Sequence, residues 1–475
     1  MTIGGINIEQ SIRDAREVIE ADKTLSTSMR TVCEMLLLVI SLLSDRLGMN
    51  SKNSSKPPSA DPNREKNPRG RSTKKVGGQQ GHVGKTLIQY DDPDHIHVIK
   101  LDKRTLPKGQ YTPVGFERRQ VVDIEIKRSV TEYQAESWKD KTGAVVVAPF
   151  PEGVTGAIQY GHQVKAHAVY LSQYQLLPYN RIEEYFSDQL GIPLSAGTIF
   201  NFNRLASALL VSSGIEEIIK GQLRKTTCLH ADETGINVNG DRQWLHCASD
   251  LSWTYLFPHE RRGTAAINEM GILPDFKGVV CHDHWKPYYR YTECIHALCN
   301  AHHLRELEFA WEKDDQGWAK DMQALLIKIN KKVNDNGGEL TKPQSAYYRK
   351  KYRELLLRAD IECPPAEHKP PKRGRQKKSK SRNLLERLRE FENDVLRFMT
   401  SSDIPFTNNQ GERDIRMTKV QQKISGCFRS TGGAVNFCRI RSYLSTCKKQ
   451  NVTATYALAT LFSGQRPSIF EGTTE

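Results

Sequence analysis

The chain has 475 residues, with 69 Lys+Arg against 55 Asp+Glu and a formal net charge of +14. At roughly 100–200 residues per domain this length accommodates two to four domains, and the positive excess points to a polyanionic partner, nucleic acid before an anionic membrane surface. The longest apolar stretch, Met35 to Leu43, is about half of the roughly 20 residues a bilayer-crossing helix needs, and ten cysteines without a CxxC pair fit a reduced, cytoplasmic protein rather than a disulfide scaffold.

Residues 1–48 read as an N-terminal helical segment. Positions 8–47 lack Gly and Pro, and Leu25, Met29, Val32, Leu36, Val39, Leu43 and Leu47 recur at spacings of three and four. That is the seam of an amphipathic or coiled helix, packed on its own domain or on a second copy. Residues 49–92 form a Ser-, Asn-, Pro- and Gly-rich linker whose bases, Lys52 to Lys85, face only Asp61 and Glu65 up to that point. Such a stretch cannot bury a core and reads as a basic arm. Within it, GQQGHVGKT (78–86) comes one residue short of a phosphate-binding loop, because Gln79 stands where the first Gly belongs, and no strand precedes it.

Residues 93–157 alternate in strand fashion (Val122, Ile124 and Ile126, then Val145–Val147) and predict a small β-rich module. Residues 158–223 turn helical. Arg181–Leu190, a turn at Gly191, Ile192 and Pro193, and Ser195–Ala206 with Ser195 as N-cap read as helix, turn, helix. This is either a DNA-reading pair or an ordinary helical hairpin.

From 224 to 313 strands alternate with helices. Thr226–Asp232, Gln243–Asp250 and Trp253–Pro258 predict three hairpin-linked strands, Arg262–Met270 a helix, Phe276–Asp283 a further strand, and 300–313 a helix. The fold class expected is α/β, with the element order of a ribonuclease-H-like sheet. Residues 314–400 read as a helical insertion broken by the basic run at 369–382, and 401–475 as the second part of the core, with helices at 408–424 and beyond.

Two acids end predicted strands: Asp232 in HADETG and Asp283 in VVCHDHW. Singly, either is a turn or cap residue; on neighbouring strands they become candidates for chemistry. The third candidate is Glu412. At about 100° per residue from Glu412, Arg416, Lys419 and Lys423 fall within about 40° of its line, whereas Met417, Val420 and Ile424 form an adjacent apolar stripe and Asp414 lies on the opposite side. A salt-bridged surface helix is the plain alternative, with Glu412 and Arg416 an i,i+4 pair. Three gathered carboxylates repel by about 3 kcal/mol per pair at roughly 5 Å and an effective dielectric near 20. Protonation or a multivalent cation must offset that, and oxygen-only ligands select Mg²⁺ or Mn²⁺.

The motifs ADETG, HDHWKPY, CNAHHLREL (299–307) and NNQGERDIRMTKVQQKISGCFRS (408–430), with NSSKPPSADP (53–62), GGQQGHVGKTL (77–87) and FCRIRSYLSTCKKQ (437–450), resemble transposases of the insertion sequence 66 family over nearly the whole chain. The resemblance implies a DDE-type recombinase with a ribonuclease-H-like catalytic core, cutting the ends of its own element and transferring them with two Mg²⁺ or Mn²⁺ ions. Asp232, Asp283 and Glu412 would be the catalytic metal ligands, and the stretch between the last two an insertion. Arg416, Lys419, Lys423 and Arg429 would contact the DNA backbone. The partners implied are double-stranded DNA (terminal inverted repeats and target), further copies of the chain, and small companion proteins encoded by the element, with no membrane. The family usually carries a cysteine-rich zinc module after the arm, but no cysteine lies between Cys33 and Cys228, so zinc is not expected there. Cys299 and His302, one helical turn apart, read as structural packing rather than a zinc site. Two other readings stay open: a different ribonuclease-H-like nuclease or resolvase, and a DNA-binding protein whose acids are inert.

Overall fold

A computed structural model of the chain describes residues 2–3, 6–49, 53, 87–365 and 378–471. Of the basic arm, residues 50–52 and 54–86 with the Gly-rich motif at 78–86 lie outside the described residues, as does the run 369–377. Strands β1 (Thr2–Ile3) and β2 (Ile6–Asn7) pair antiparallel ahead of helices α1 (Ile8–Ala21) and α2 (Thr27–Gly48). The single helix expected over 8–47 is therefore two. The Asp22 carboxylate takes the Thr24 N–H and hydroxyl, and Ser26 caps α2 by accepting from Met29 N, side-chain bonds that compete with the helical ladder. Met29, Met35, Leu36, Leu42 and Leu43 are exposed. The α2 segment Thr27–Ser44 is long and apolar enough to cross a membrane by length and composition alone, a wider window than the nine-residue run suggests.

Residues 93–157 differ from the expected β module. They hold one short hairpin, β3 (Ser137–Lys139) with β4 (Val145–Val147), turned around the Asp140 carboxylate. The stretch holding Val122, Ile124 and Ile126 joins no ladder, and all three are exposed. Alternation stabilises a strand only where one face has something to cover it, and among the described residues nothing covers this one.

Helix α3 (His162–Val169) runs into a π turn at Tyr170–Tyr174. The predicted helical pair is α4 (Tyr179–Leu190) and α5 (Ala196–Ser212), with Gly191 left-handed at φ 58° closing α4 and Ser195 capping α5 through Thr198 N. Helix α6 (Ile215–Lys225) leads into the central sheet.

That sheet contains β5 (Cys228–Val238), β6 (Asp241–Ser249), β7 (Thr254–His259), β8 (Val279–His282) and β9 (Ile295–Leu298), in the order β7-β6-β5-β8-β9. The first three are antiparallel neighbours, and β5, β8 and β9 run parallel, with α7 (Thr264–Met270) in the crossover. The three hairpin-linked strands, helix and fourth strand stand where the apolar runs place them; β9 was not anticipated. Helix α8 (Asn300–Lys313) follows, then α9 (Gly317–Asp335), α10 (Lys342–Glu362, entered through a Thr341–Gln344 capping box), α11 (Lys380–Glu390) and α12 (Glu392–Val395). The chain returns through α13 (Asn409–Ser425), α14 (Thr431–Lys449) and α15 (Ala454–Phe462).

Period-two alternation divides β5 between the sheet's two faces. Leu229 and Ala231 enter a core with α3–α6, α14 and α15, built on Ile182, Phe186, Ile219, Tyr443 and Leu458. Cys228 joins Cys281 and Leu298 in a second core with α8–α12, around Trp318, Met322, Tyr352 and Leu388. The far end of β5, Ile236 and Val238, packs with Ile415, Phe428 and Phe437 under α13 and α14. The helical stretch between Asp283 and Glu412 thus has a core of its own, attached to one face of the sheet.

Candidate active site

Asp232 does not end its strand, as the apolar run suggests; β5 continues to Val238 against β6. What ends is its pairing with β8: Cys228, Leu229 and His230 align with Val279, Val280 and Cys281, and β8 stops at His282. Extending that register by two residues sets Asp232 against Asp283, on parallel strands about 4.8 Å apart. The two acids come together because neighbouring strands finish their ladder two residues before them. Asp283 turns the chain by accepting Trp285 N through Oδ1 at 2.9 Å, and Asp232 Oδ1 accepts Glu233 N at 2.9 Å.

Glu412 arrives in the first turn of α13, and uncharged groups hold that turn against β5. Asn408, 3% exposed at the N-cap, donates through Nδ2 to Ala231 O (2.8 Å) and meets His230 Nδ1 through Oδ1 (2.8 Å), while its own N–H reaches Cys299 Sγ (3.1 Å). Gly411 lets the helix approach: a Cβ there would stand 3.3 Å from Asp232 Cβ and 3.2 Å from the Asn408 amide. On the far side of α13, Asp414 is buried and paired with Lys449 Nζ at 2.8 Å, and that ammonium also caps the carbonyls of Asp250 and Trp253. The helix is pinned on both sides.

The fully buried line of α13 is Gly411, Ile415 and Thr418. Of the apolar stripe expected to face the sheet, Met417 and Val420 pack partly and Ile424 stays exposed. Glu412 pairs with Arg305 Nη2 on α8 at 3.7 Å, rather than with Arg416 along its own helix. Lys419 donates to Gly235 O at 2.7 Å; it, Arg416, Lys423 and Arg429 are all exposed.

The acids feel one another. Burial first, then the charges of Glu233, Asp283 and Glu412, push Asp232 up to about 8, against the opposing Glu233 N–H bond. Glu233, the next residue of ADETG, was not singled out by sequence reasoning. Its side chain is 2% exposed and receives Arg262 Nη2 at 2.5 Å and Tyr288 OH at 2.6 Å. Burial and Asp283 raise its affinity for a proton, and those two hydrogen bonds oppose the rise. The Arg262 guanidinium lies over both Trp244 (4.8 Å) and Trp285 (4.2 Å). His282, beside Asp283, is pushed down to about 3 by burial and by His296, whose Nδ1 stands 3.0 Å from its Nε2. Arg305, Asn408 and Gly411 were legible only as parts of motifs; nothing in their spacing gives them a place at the acids. Cys299 Sγ, a His302 ring nitrogen and a Glu412 carboxylate oxygen all lie within 4.8 Å of one another.

Asp232, half-buried, with Asp283 and Glu412 offers oxygen donors only, and the three repel one another through space, a chemistry that suits a hard divalent cation, although their ligand atoms do not all come within 4.8 Å of one another. The chain is thus an α/β protein whose sheet gathers acidic residues from three remote segments beside a basic helix. The family model "Transposase IS66 family" matches residues 157–436, well over half the chain, and the protein belongs to that family. A second model, described as a family of unknown function (DUF6444), matches residues 8–87. No curated protein matches the chain.

Proposed function

We propose that this protein is a DDE-type transposase that nicks the ends of its own insertion sequence and joins them to target DNA, using a ribonuclease-H-like core with Asp232, Asp283 and Glu412 as the ligands of two Mg²⁺ or Mn²⁺ ions. The observation that carries the reading is that Asp232 on β5 feels the charges of Asp283 after β8 and Glu412 on α13 and, with burial first, is pushed up to about 8. A protein keeps such a cluster against its own repulsion when a cation takes the proton's place. The β7-β6-β5-β8-β9 order, with one antiparallel half and one parallel half, supports the ribonuclease-H-like assignment.

Bound ions would activate the attacking water or 3′-hydroxyl and stabilise the leaving oxygen of an in-line displacement. The chain's own residues have the remaining work. Asn408, Gly411 and the Asp414–Lys449 pair hold α13 so that Glu412 faces the strand acids. Arg262 and Tyr288 fix the Glu233 carboxylate by donating to its two oxygens. Arg416, Lys423 and Arg429, exposed along and after α13, offer cations to the phosphate backbone. The α4–α5 pair is the candidate sequence reader. The partners proposed are terminal repeats and target duplex, further copies of the chain, and companion proteins of the element, in a reduced cytoplasm.

The test is cleavage of a labelled DNA end taken from the flank of this gene, with and without Mn²⁺, by the full chain and its Asp283→Asn variant. Metal-dependent nicking at the terminal repeat, lost in the variant, is the expected result. Normal nicking by Asp283→Asn overturns the assignment. Cleavage chosen by junction or hybrid shape, without regard to the repeat, makes the protein a nuclease or resolvase instead, and binding without any cut strand makes it an inert DNA-binding relative.

A further inference from the structure

Cys299 stands at the N-cap of α8, with its thiol buried. Its Sγ receives the Asn408 N–H at 3.1 Å and is also hydrogen-bonded by the N–H groups of Ala301 and His302 in the first turn. Burial holds the Cys299 thiol above its ordinary range, and the three N–H donors oppose that rise; a bound divalent cation would take the proton's place on sulfur. One turn on, His302 Nδ1 is buried and makes no hydrogen bond. An orphaned ring nitrogen loses the solvation of its lone pair or N–H, a cost that native interiors rarely leave uncompensated. Glu412, brought over from α13, completes the group: the three ligand atoms lie within 4.8 Å of one another. In a closed tetrahedral zinc site such atoms sit about 3.3–3.6 Å apart, so side-chain shifts on the order of 1 Å close it.

We propose that Cys299 Sγ, a His302 ring nitrogen and the Glu412 carboxylate form a site for Zn²⁺ or a similarly thiophilic divalent cation at the rim of the acid cluster, with the fourth position open. The donor chemistry separates it from the hard-ion set: sulfur and imidazole select zinc or cobalt over magnesium. The Cys-x-x-His spacing alone reads as packing; the third ligand, over a hundred residues away, exists only once α13 is laid beside α8. Arg305 is the present partner of Glu412 at 3.7 Å, and the incoming cation displaces it. If Glu412 also serves the hard-ion centre, a consequence that rests on the transposase reading, zinc occupancy withdraws one of that centre's three acids and restrains the reaction.

The experiment uses the full chain, stripped of metal under reducing conditions and titrated with Co²⁺. One equivalent should bind with the d–d absorption of a four-coordinate ion and a thiolate-to-cobalt charge-transfer band, and added Zn²⁺ should abolish both. Cys299→Ser should lose the charge-transfer band, and His302→Gln should weaken binding by more than about 10-fold, each with an unchanged far-ultraviolet circular dichroism spectrum. Asp232→Asn and Asp283→Asn should retain the band, which separates this site from the proposed catalytic one. The cobalt spectrum does not depend on DNA cleavage, so inactivity of the chain leaves the result readable. The proposal is overturned by wild-type protein that gives no charge-transfer band, by a band that survives Cys299→Ser, or by a band that needs Asp283.

Discussion

Asp232→Asn should stabilise the metal-free protein, and increasingly so as pH rises. In the unfolded chain the Asp232 carboxyl loses its proton near 3.8, whereas in the fold burial and the neighbouring acids hold the proton until about 8. Between those values the folded state binds more protons than the unfolded one, so stability falls as pH increases. The contribution is intact below pH 4 and is lost on passing pH 8. A difference of roughly 4 pH units at 1.36 kcal/mol each sets the whole loss on the order of 5 kcal/mol. Asparagine is close in shape, keeps an oxygen for the Glu233 N–H, and carries no such slope.

The assay is thermal unfolding with chelator present, across pH 5 to 8, of the wild type and Asp232→Asn. The two midpoints should diverge with pH, by an amount on the order of 10 °C at the upper end, taking about 2–4 °C per kcal/mol. Saturating Mn²⁺ should then raise the wild type, by about 2.7 kcal/mol at a concentration 100 times the dissociation constant, and leave the variant nearly unmoved. Parallel pH profiles of the two proteins would refute the claim that Asp232 is held protonated by its neighbours. An equal Mn²⁺ response would refute its place among the ligands.

Three further outcomes follow from the packing around α13. Gly411→Ala puts a methyl 3.3 Å from Asp232 Cβ; the expected result is a protein with circular dichroism like the wild type but cleavage reduced at least about 10-fold, read by the end-nicking assay, because a displacement of a few tenths of an ångström moves Glu412 and Asp232 apart. Lys449→Met strands the buried Asp414 carboxylate, 8% exposed, and should cost about 3 kcal/mol in urea unfolding; the double change Lys449→Met with Asp414→Leu should recover most of it. Arg416→Gln should weaken DNA binding evenly across sequences and lower the magnitude of the salt slope by about 1, whereas Lys419→Gln, whose ammonium already serves Gly235 O, should change it by less, as fluorescence anisotropy at several salt concentrations will show.

The sheet was legible because its strands are apolar runs bounded by turn residues: Gly240 and Asp241 between β5 and β6, and Asp250 before β7, punctuate it in the chain as they do in the fold. β9 escaped because Ile295–Leu298 is four residues long with a half-exposed first position, too short for a period to register. The hinge between α1 and α2 escaped for the opposite reason: heptad-like spacing runs straight through Leu25 and Met29, and only the side-chain bonds of Asp22 and Ser26 break it. At the acids, residue type and position on a strand were enough to single out Asp232 and Asp283. The element order made their strands neighbours; the register that sets the two residues side by side was not readable. Asn408 and Gly411 were beyond reach altogether, because an amide and a missing Cβ carry no signal until a helix from 180 residues away is laid across the strand.

The chemistry of the anchors distinguishes this cluster from an ordinary buried ion network. Each carboxylate at the margin has a cation: Glu233 has Arg262, Glu412 has Arg305, and Asp414 has Lys449. Asp232, at the centre and the most deeply perturbed, makes no ion pair among the described residues, and what fastens the helix beside it is the neutral Asn408 amide. A lysine or arginine in place of Asn408 would bury a charge at a 3%-exposed position and lose the oxygen that meets His230 Nδ1. It would also bring the proton affinity of Asp232 down to the ordinary range and occupy the space a cation needs. Here the positive charge is kept at the rim, which leaves the central acid dependent on a proton or an added cation.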